Sequence, residues 1–382
     1  MRSIDFSSLM PARSISRLAG LLLVAGGAAA CGGDTGPRSD SATMAMNETD
    51  SLRADSAGAM SGPAQPSADQ KKVLDELGTL GGKPIATLSA AEARKQPTPT
   101  DAVMSVLKKA EMPVTPEAVG KVVNRRIPGA AGNIAVRIYT PSGTGPFPVI
   151  VYYHGGGFVI ATNDTYDGSA RALTNAAGAI VMSVEYRKAP ENKFPAAHDD
   201  AYAAYVWATR NAAQIGGDPT RIALAGESAG GNLALATAMR VRDDSGAIKP
   251  VGILAVYPVV GNDTTTASYV RNADATPLNR PMMSWFFTQY TRTPADAQDP
   301  RLNILGANLK GLPPVTIVLA EIDPLLTEGE QLATKLRDAG VTVNSRTYPG
   351  AAHEFFGQGA VVPAAKDAVQ YAADGLKATF KK

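Results

Sequence analysis

The chain has one cysteine, two tryptophans and three histidines in 382 residues, and each scarcity closes off a class of chemistry. With Cys31 alone, no intramolecular disulfide framework can form. The three histidines, His154, His198 and His353, fall in separate motifs without ligand spacing, so no metal site is expected. No phosphate-cradling or dinucleotide glycine loop is present, so no cofactor is expected either. Charge of one sign is also missing. The chain carries 37 basic and 35 acidic side chains, and that balance gives no support for nucleic-acid binding. What remains is 45% hydrophobic and 19% charged, an ordinary globular composition with enough length for one large domain.

The longest apolar run is residues 18–30, too short for a comfortable membrane span. Arg2, Arg13 and Arg17 precede it and Cys31 follows directly, the layout of an export signal. Small residues ending in a lone cysteine look like a bacterial lipoprotein signal, in which Cys31 becomes the lipid-bearing N-terminus; the alternative is ordinary cleavage near Ala30. Loss of residues 1–30 removes those three arginines and Asp5, so 37 basic and 35 acidic side chains become 34 and 34, and the mature chain is neutral. The expected location is therefore the cell envelope, periplasm or outer membrane, with membrane attachment through Cys31. Residues 31–69, rich in Ser, Ala, Gly, Asp and Met, cannot bury enough apolar surface to fold and read as a tether. Residues 70–382 form the remaining domain.

Within that domain Arg221-Ile222-Ala223-Leu224-Ala225 is an apolar strand, followed by Gly226-Glu227-Ser228-Ala229-Gly230 and then a helix-forming run. Strand, sharp turn and helix in that order are a nucleophile elbow, with Ser228 exposed at a helix N-terminus and the Ala229 N–H aimed at a developing oxyanion. Upstream, Pro148-Val149-Ile150-Val151-Tyr152-Tyr153 runs into His154-Gly155-Gly156-Gly157-Phe158. Converging N–H groups of Gly155, Gly156 and Gly157 would supply the second half of an oxyanion hole. Serine needs a base and an acid to orient it. Only His353 follows Ser228 in the chain, which the order of the triad on this fold requires. The acid belongs at the end of the strand Pro314-Val315-Thr316-Ile317-Val318-Leu319-Ala320, where Glu321 and Asp323 both stand; alternation aims them to one side and does not separate them.

These motifs, with Asp323-Pro324-Leu325, His353-Glu354-Phe355-Phe356 and Tyr186-Arg187-Lys188-Ala189-Pro190, resemble the hormone-sensitive-lipase-like α/β-hydrolases, the bacterial carboxylesterases, over about residues 70–382. The resemblance implies an α/β-hydrolase fold, a mostly parallel sheet flanked by helices under a helical cap. It makes Asp323 the acid of a Ser228–His353–Asp323 triad acting through an acyl-Ser228 intermediate on short- to medium-chain esters. Glu227 stands where the family usually has Asp or Thr.

Helical patterns at residues 70–77 and 100–109, inside 70–115, and an insert over 261–306 are the expected cap. The insert contains Met282-Met283-Ser284-Trp285-Phe286-Phe287-Thr288-Gln289-Tyr290. Phe158, Glu227, Trp285, Phe286 and Tyr290 are the substrate-facing candidates. Two other functions compete. One is a receptor that keeps the pocket without catalysis, against which all three triad members stand. The other is β-lactam or amide hydrolysis, nominally matched by Ser105-Val106-Leu107-Lys108, but no Lys-Thr-Gly or Ser-Asp-Asn accompanies it. Nothing in the pattern sets the oligomeric state.

Overall fold

The computed structural model describes residues 64–381, so the expected export signal, Cys31 and most of the expected tether lie outside the described residues. The first element is α1 (Ala68–Thr79), capped by Ser67, whose own N–H donates to Gly350 O at 2.9 Å. Ser67 thus serves as both cap and anchor of this helix. Next come a 3₁₀ turn at Ile85–Thr87, α2 (Ala90–Ala93) and α3 (Pro99–Lys109). Capping boxes at Ser89/Glu92 and Thr98/Asp101 start the two helices, as the sequence signals require.

The sheet-forming part then runs β1 (Lys121–Gly129), β2 (Gly132–Thr140), β3 (Phe147–Tyr153), α4 (Asp167–Ala177), β4 (Ile180–Glu185), α5 (Ala196–Asn211), β5 (Gly217–Glu227), α6 (Ala229–Asp243) and β6 (Ile253–Val256). The insert holds α7 (Ala267–Arg271) and α8 (Arg280–Tyr290), and the chain ends with β7 (Val315–Ile322), α9 (Leu326–Asp338), β8 (Val343–Ala352) and α10 (Pro363–Phe380). One eight-stranded sheet has the order β1-β2-β4-β3-β5-β6-β7-β8. The β1/β2 and β2/β4 pairs are antiparallel and the others parallel.

Both faces of that sheet are covered, and β3 shows how. Val149, Val151 and Tyr153 join the core that holds Leu233 and Leu235 of α6, whereas Ile150 and Tyr152 join the core that holds Leu173 of α4 and Leu376 of α10. A two-residue period with both sides buried turns the strand into a continuous apolar run, which is why it was legible in the sequence. The carboxyl ends of β5, β7 and β8 then present Ser228, Asp323 and His353 along one edge.

Candidate active site

Ser228 caps α6 with φ +54° and ψ −119°, a strained backbone for a residue bearing a Cβ. Glycine on either side permits it. A Cβ on Gly226 would lie 2.1 Å from Gly230 O, and one on Gly230 would lie 1.9 Å from Tyr153 O. The first would push the helix away from β5, the strand it follows, and the second away from the end of β3. The Ser228 N–H donates to Val256 O at 2.9 Å, fixing the elbow to β6.

His353 Nε2 stands 3.0 Å from Ser228 Oγ, and its Nδ1 stands 2.6 Å from Asp323 Oδ2. The other carboxylate oxygen, Asp323 Oδ1, accepts from the Leu325 N–H at 2.8 Å. With Asp323 on Nδ1, that nitrogen holds the ring proton and Nε2 is left as the acceptor. All three side chains are buried. Burial alone would push the His353 imidazole down, but the Asp323 charge and hydrogen bond, with Glu354 and Glu227 behind them, hold it above the usual histidine range. Glu321, the rival acid, turns elsewhere: its Oε2 accepts from the Gly350 N–H at 2.7 Å and fastens the loop that carries His353.

The other two histidines have no such setting. His154 stacks on Tyr186 at 4.4 Å, and burial pushes it down to about 4. His198 is also pushed to about 4 by burial, and bridges Tyr290 Oη at 2.8 Å and Asn232 Oδ1 at 2.9 Å. Both are neutral near pH 7 and tie structure together.

Above the triad is a cavity of about 490 Å³. Gly156, Gly157, Ser228, His353 and Glu354 form its floor, residues from Leu77 to Pro99 one wall, and Leu278, Met282 and Phe286 another. Ala229 sits at the helix start beside Ser228, while Gly155 lies under Tyr166, whose hydroxyl would be 2.2 Å from any Cβ there. Among the substrate-facing candidates, Phe286 reaches the cavity and the other four do not. Trp285 instead donates its indole N–H to Leu88 O at 3.0 Å. Tyr290 stacks on Phe158 at 4.2 Å and holds His198, so both rings are cap-to-body packing. Glu227 lies behind the nucleophile, where Tyr152 and Tyr257 donate to its two oxygens at 2.6 and 2.5 Å. Burial and the nearby Glu354 charge push Glu227 up to about 7. The Ser105/Lys108 pair of the lactamase pattern sits on α3 away from this cavity, with Ser105 bonded to Glu76 at 2.6 Å.

A family model described as the α/β hydrolase fold matches residues 150–357. The esterase LipN of Mycobacterium tuberculosis, a carboxylic ester hydrolase, is 41% identical over 240 residues, 61% of this chain and 64% of its own length. The ethyl acetate hydrolase of Pseudomonas putida is 32% identical over 310 residues, covering 80% of this chain and 95% of that enzyme. Among solved structures, a hyperthermophilic esterase from the archaeon Pyrobaculum calidifontis superimposes with a TM-score of 0.76 at 35% identity, over 82% of this chain and 98% of that one. The chain belongs to the hormone-sensitive-lipase-like α/β-hydrolases. This is a family of carboxylic ester hydrolases, and the chain spans just under two thirds of LipN.

Sequence reasoning passed over three parts of this site. Asn272 of the insert donates to Asp323 O at 3.0 Å and so connects cap to acid. Met282 is one helical turn before Phe286, a spacing of four that marks one helix face and could have been read. Glu354 was noted only as part of a motif, yet it lines the cavity.

Proposed function

We propose that this protein is a serine carboxylesterase in which Ser228, His353 and Asp323 act as nucleophile, base and orienting acid. The relay of 3.0 and 2.6 Å contacts from Ser228 through His353 to Asp323 carries that reading. In acylation, Ser228 Oγ bonds to the acyl carbon while its proton passes to His353 Nε2. The same proton then goes to the leaving alcohol oxygen as the C–O bond breaks, and a water repeats the sequence to release the acid. Negative charge on the tetrahedral intermediate is met by the N–H groups of Ala229 and of Gly156 and Gly157, the loop glycines that line the cavity beside Ser228.

Two walls of cap residues around about 490 Å³ suit acyl chains of limited length, roughly two to eight carbons. A chain-length series of p-nitrophenyl esters tests this, run beside a chromogenic β-lactam with Ser228→Ala as control. Activity on short and medium esters is expected, with Ser228→Ala losing several orders of magnitude. More than a tenth of wild-type turnover in Ser228→Ala would overturn the assignment. Strong hydrolysis of emulsified long-chain triglyceride would overturn this limit on acyl length. The residue 1–31 sequence further supports export and lipid attachment at Cys31, with residues between it and the enzyme domain as the tether.

A further inference from the structure

Behind the relay described above lies a carboxylate that the triad does not use. Glu354 follows His353 directly, lines the cavity, and brings Oε1 to 3.9 Å from His353 Nε2. That is the nitrogen facing Ser228, the one that must gain a proton in the attack. We propose that Glu354 is a positioning residue for the reaction, a second carboxylate facing His353 from the Nε2 side as Asp323 does from the Nδ1 side. The inference rests on the reading of His353 as the base.

Several features hold Glu354 there. Tyr166, itself buried, donates its hydroxyl to Glu354 Oε1 at 2.5 Å. The Tyr166 hydroxyl fits only because Gly155 has no Cβ, which would meet it at 2.2 Å. Glu354 takes φ +68°, a left-handed conformation uncommon for a side chain of this length. Its carbonyl accepts from Gln358 Nε2 at 3.0 Å, and Gln358 in turn accepts from Gln70 Nε2 of α1 at 3.0 Å. The segment is thus pinned from the cap side and from α4's approach.

The charges around the pair favour an effect on the imidazolium. His353 faces Asp323, Glu354 and Glu227, with the Tyr257 ring against it at 4.5 Å. Glu354 faces His353, Asp323 and Tyr166, and Tyr152, Tyr186, Tyr257 and Glu227 sense its charge. Across the cavity, Lys188 and Arg94 are paired with Glu185 and Glu191. Burial raises the Glu354 carboxyl, while the His353 charge and the Tyr166 hydrogen bond oppose that rise. As His353 becomes cationic, Glu354 is therefore drawn toward its charged form.

The test is the pH dependence of kcat/KM for p-nitrophenyl acetate, and of Ser228 inactivation by paraoxon, from about pH 5 to about 9 in the full-length protein. Wild type is expected to lose rate as pH falls through a midpoint above about 6.5, since only neutral His353 accepts the serine proton. In Glu354→Gln, which keeps an acceptor for Tyr166, the midpoint should move down by about one pH unit and the plateau should fall about 3- to 10-fold. The mutant-to-wild-type ratio then rises toward low pH. Glu354→Asp retains the charge and should restore most of the wild-type midpoint. Glu354→Gly, suited to the left-handed φ, is a second charge-free variant should the amide fold poorly. A uniform drop in rate with an unmoved midpoint would reduce Glu354 to a structural role and overturn the proposal, as would no change at all. A wild-type profile flat to about pH 4 would instead defeat the histidine base itself.

Discussion

Glu321 and Asp323 differ by two positions, and two positions are one full period of a strand, so alternation aimed both at the same side. The structure separates them by where the pairing breaks. The β7–β8 register shifts between Ala320 and Ile322, with Glu321 at the irregularity and Asp323 one residue beyond the strand. Asp323 reaches His353 Nδ1 at 2.6 Å and Glu321 reaches the Gly350 N–H at 2.7 Å. Asp323→Asn is therefore expected to lower kcat by about 10³- to 10⁴-fold, because an amide on Nδ1 favours the wrong tautomer of His353. Glu321→Gln should cost less than about tenfold, since an amide oxygen still accepts from Gly350. Steady-state kinetics on the two variants decide the matter: a mild Asp323→Asn beside a crippled Glu321→Gln would move the acid to Glu321. A local irregularity in pairing leaves no mark in hydrophobic pattern, which is why the choice between these carboxylates needed the family resemblance.

At the scale of one helix, α8 shows how far aromatic spacing can be read. Trp285, Phe286 and Tyr290 were all aimed at substrate, and only Phe286 faces the cavity. Neighbours on a helix point about 100° apart, so Trp285 turns to the Leu88 carbonyl while Phe286 and Met282, a turn apart, face the pocket. Periodicity reveals that a helix has faces; the cap segment at residues 85–88, which α8 packs on, decides which face looks down. Phe286→Ala is thus expected to shift the acyl-length optimum to longer chains in the p-nitrophenyl ester series. Trp285→Phe should leave that optimum in place and lose the indole hydrogen bond, about 1 kcal/mol, seen as a drop in Tm of about 2 °C. Equal shifts of the optimum in both variants would contradict this division. Ser228 and His353, by contrast, were legible in the sequence: glycines around Ser228 announce its sharp turn, and His353 is the one histidine that follows it in the chain.

For the molecule as a whole, the question is how much chain the enzyme needs. Gln70 of α1 reaches Gln358 at 3.0 Å and accepts from the Ala352 N–H at 3.4 Å, one residue before His353. Ser67 fastens the same loop through Gly350 O. The first helix is therefore part of the support for the base, and every residue named in the active site lies after residue 66. Deleting residues 1–63 should leave kcat/KM within about twofold and Tm within about 2 °C, whereas deletion through Thr79 should remove most activity and lower Tm by well over about 5 °C. The same dissection separates catalysis from location. Full-length protein expressed in a bacterium is expected in the membrane fraction and to incorporate radioactive palmitate. Cys31→Ser should abolish the label and release or strand the precursor without touching the specific activity of the folded domain. A single acyl chain holds a protein only marginally while several on one cysteine hold it firmly, at about 0.8 kcal/mol per buried CH₂, so partial release from wild-type membranes by salt would be inconsistent with a lipid anchor. Wild-type enzyme found wholly in a soluble fraction without label would leave the esterase intact and remove its attachment to the envelope.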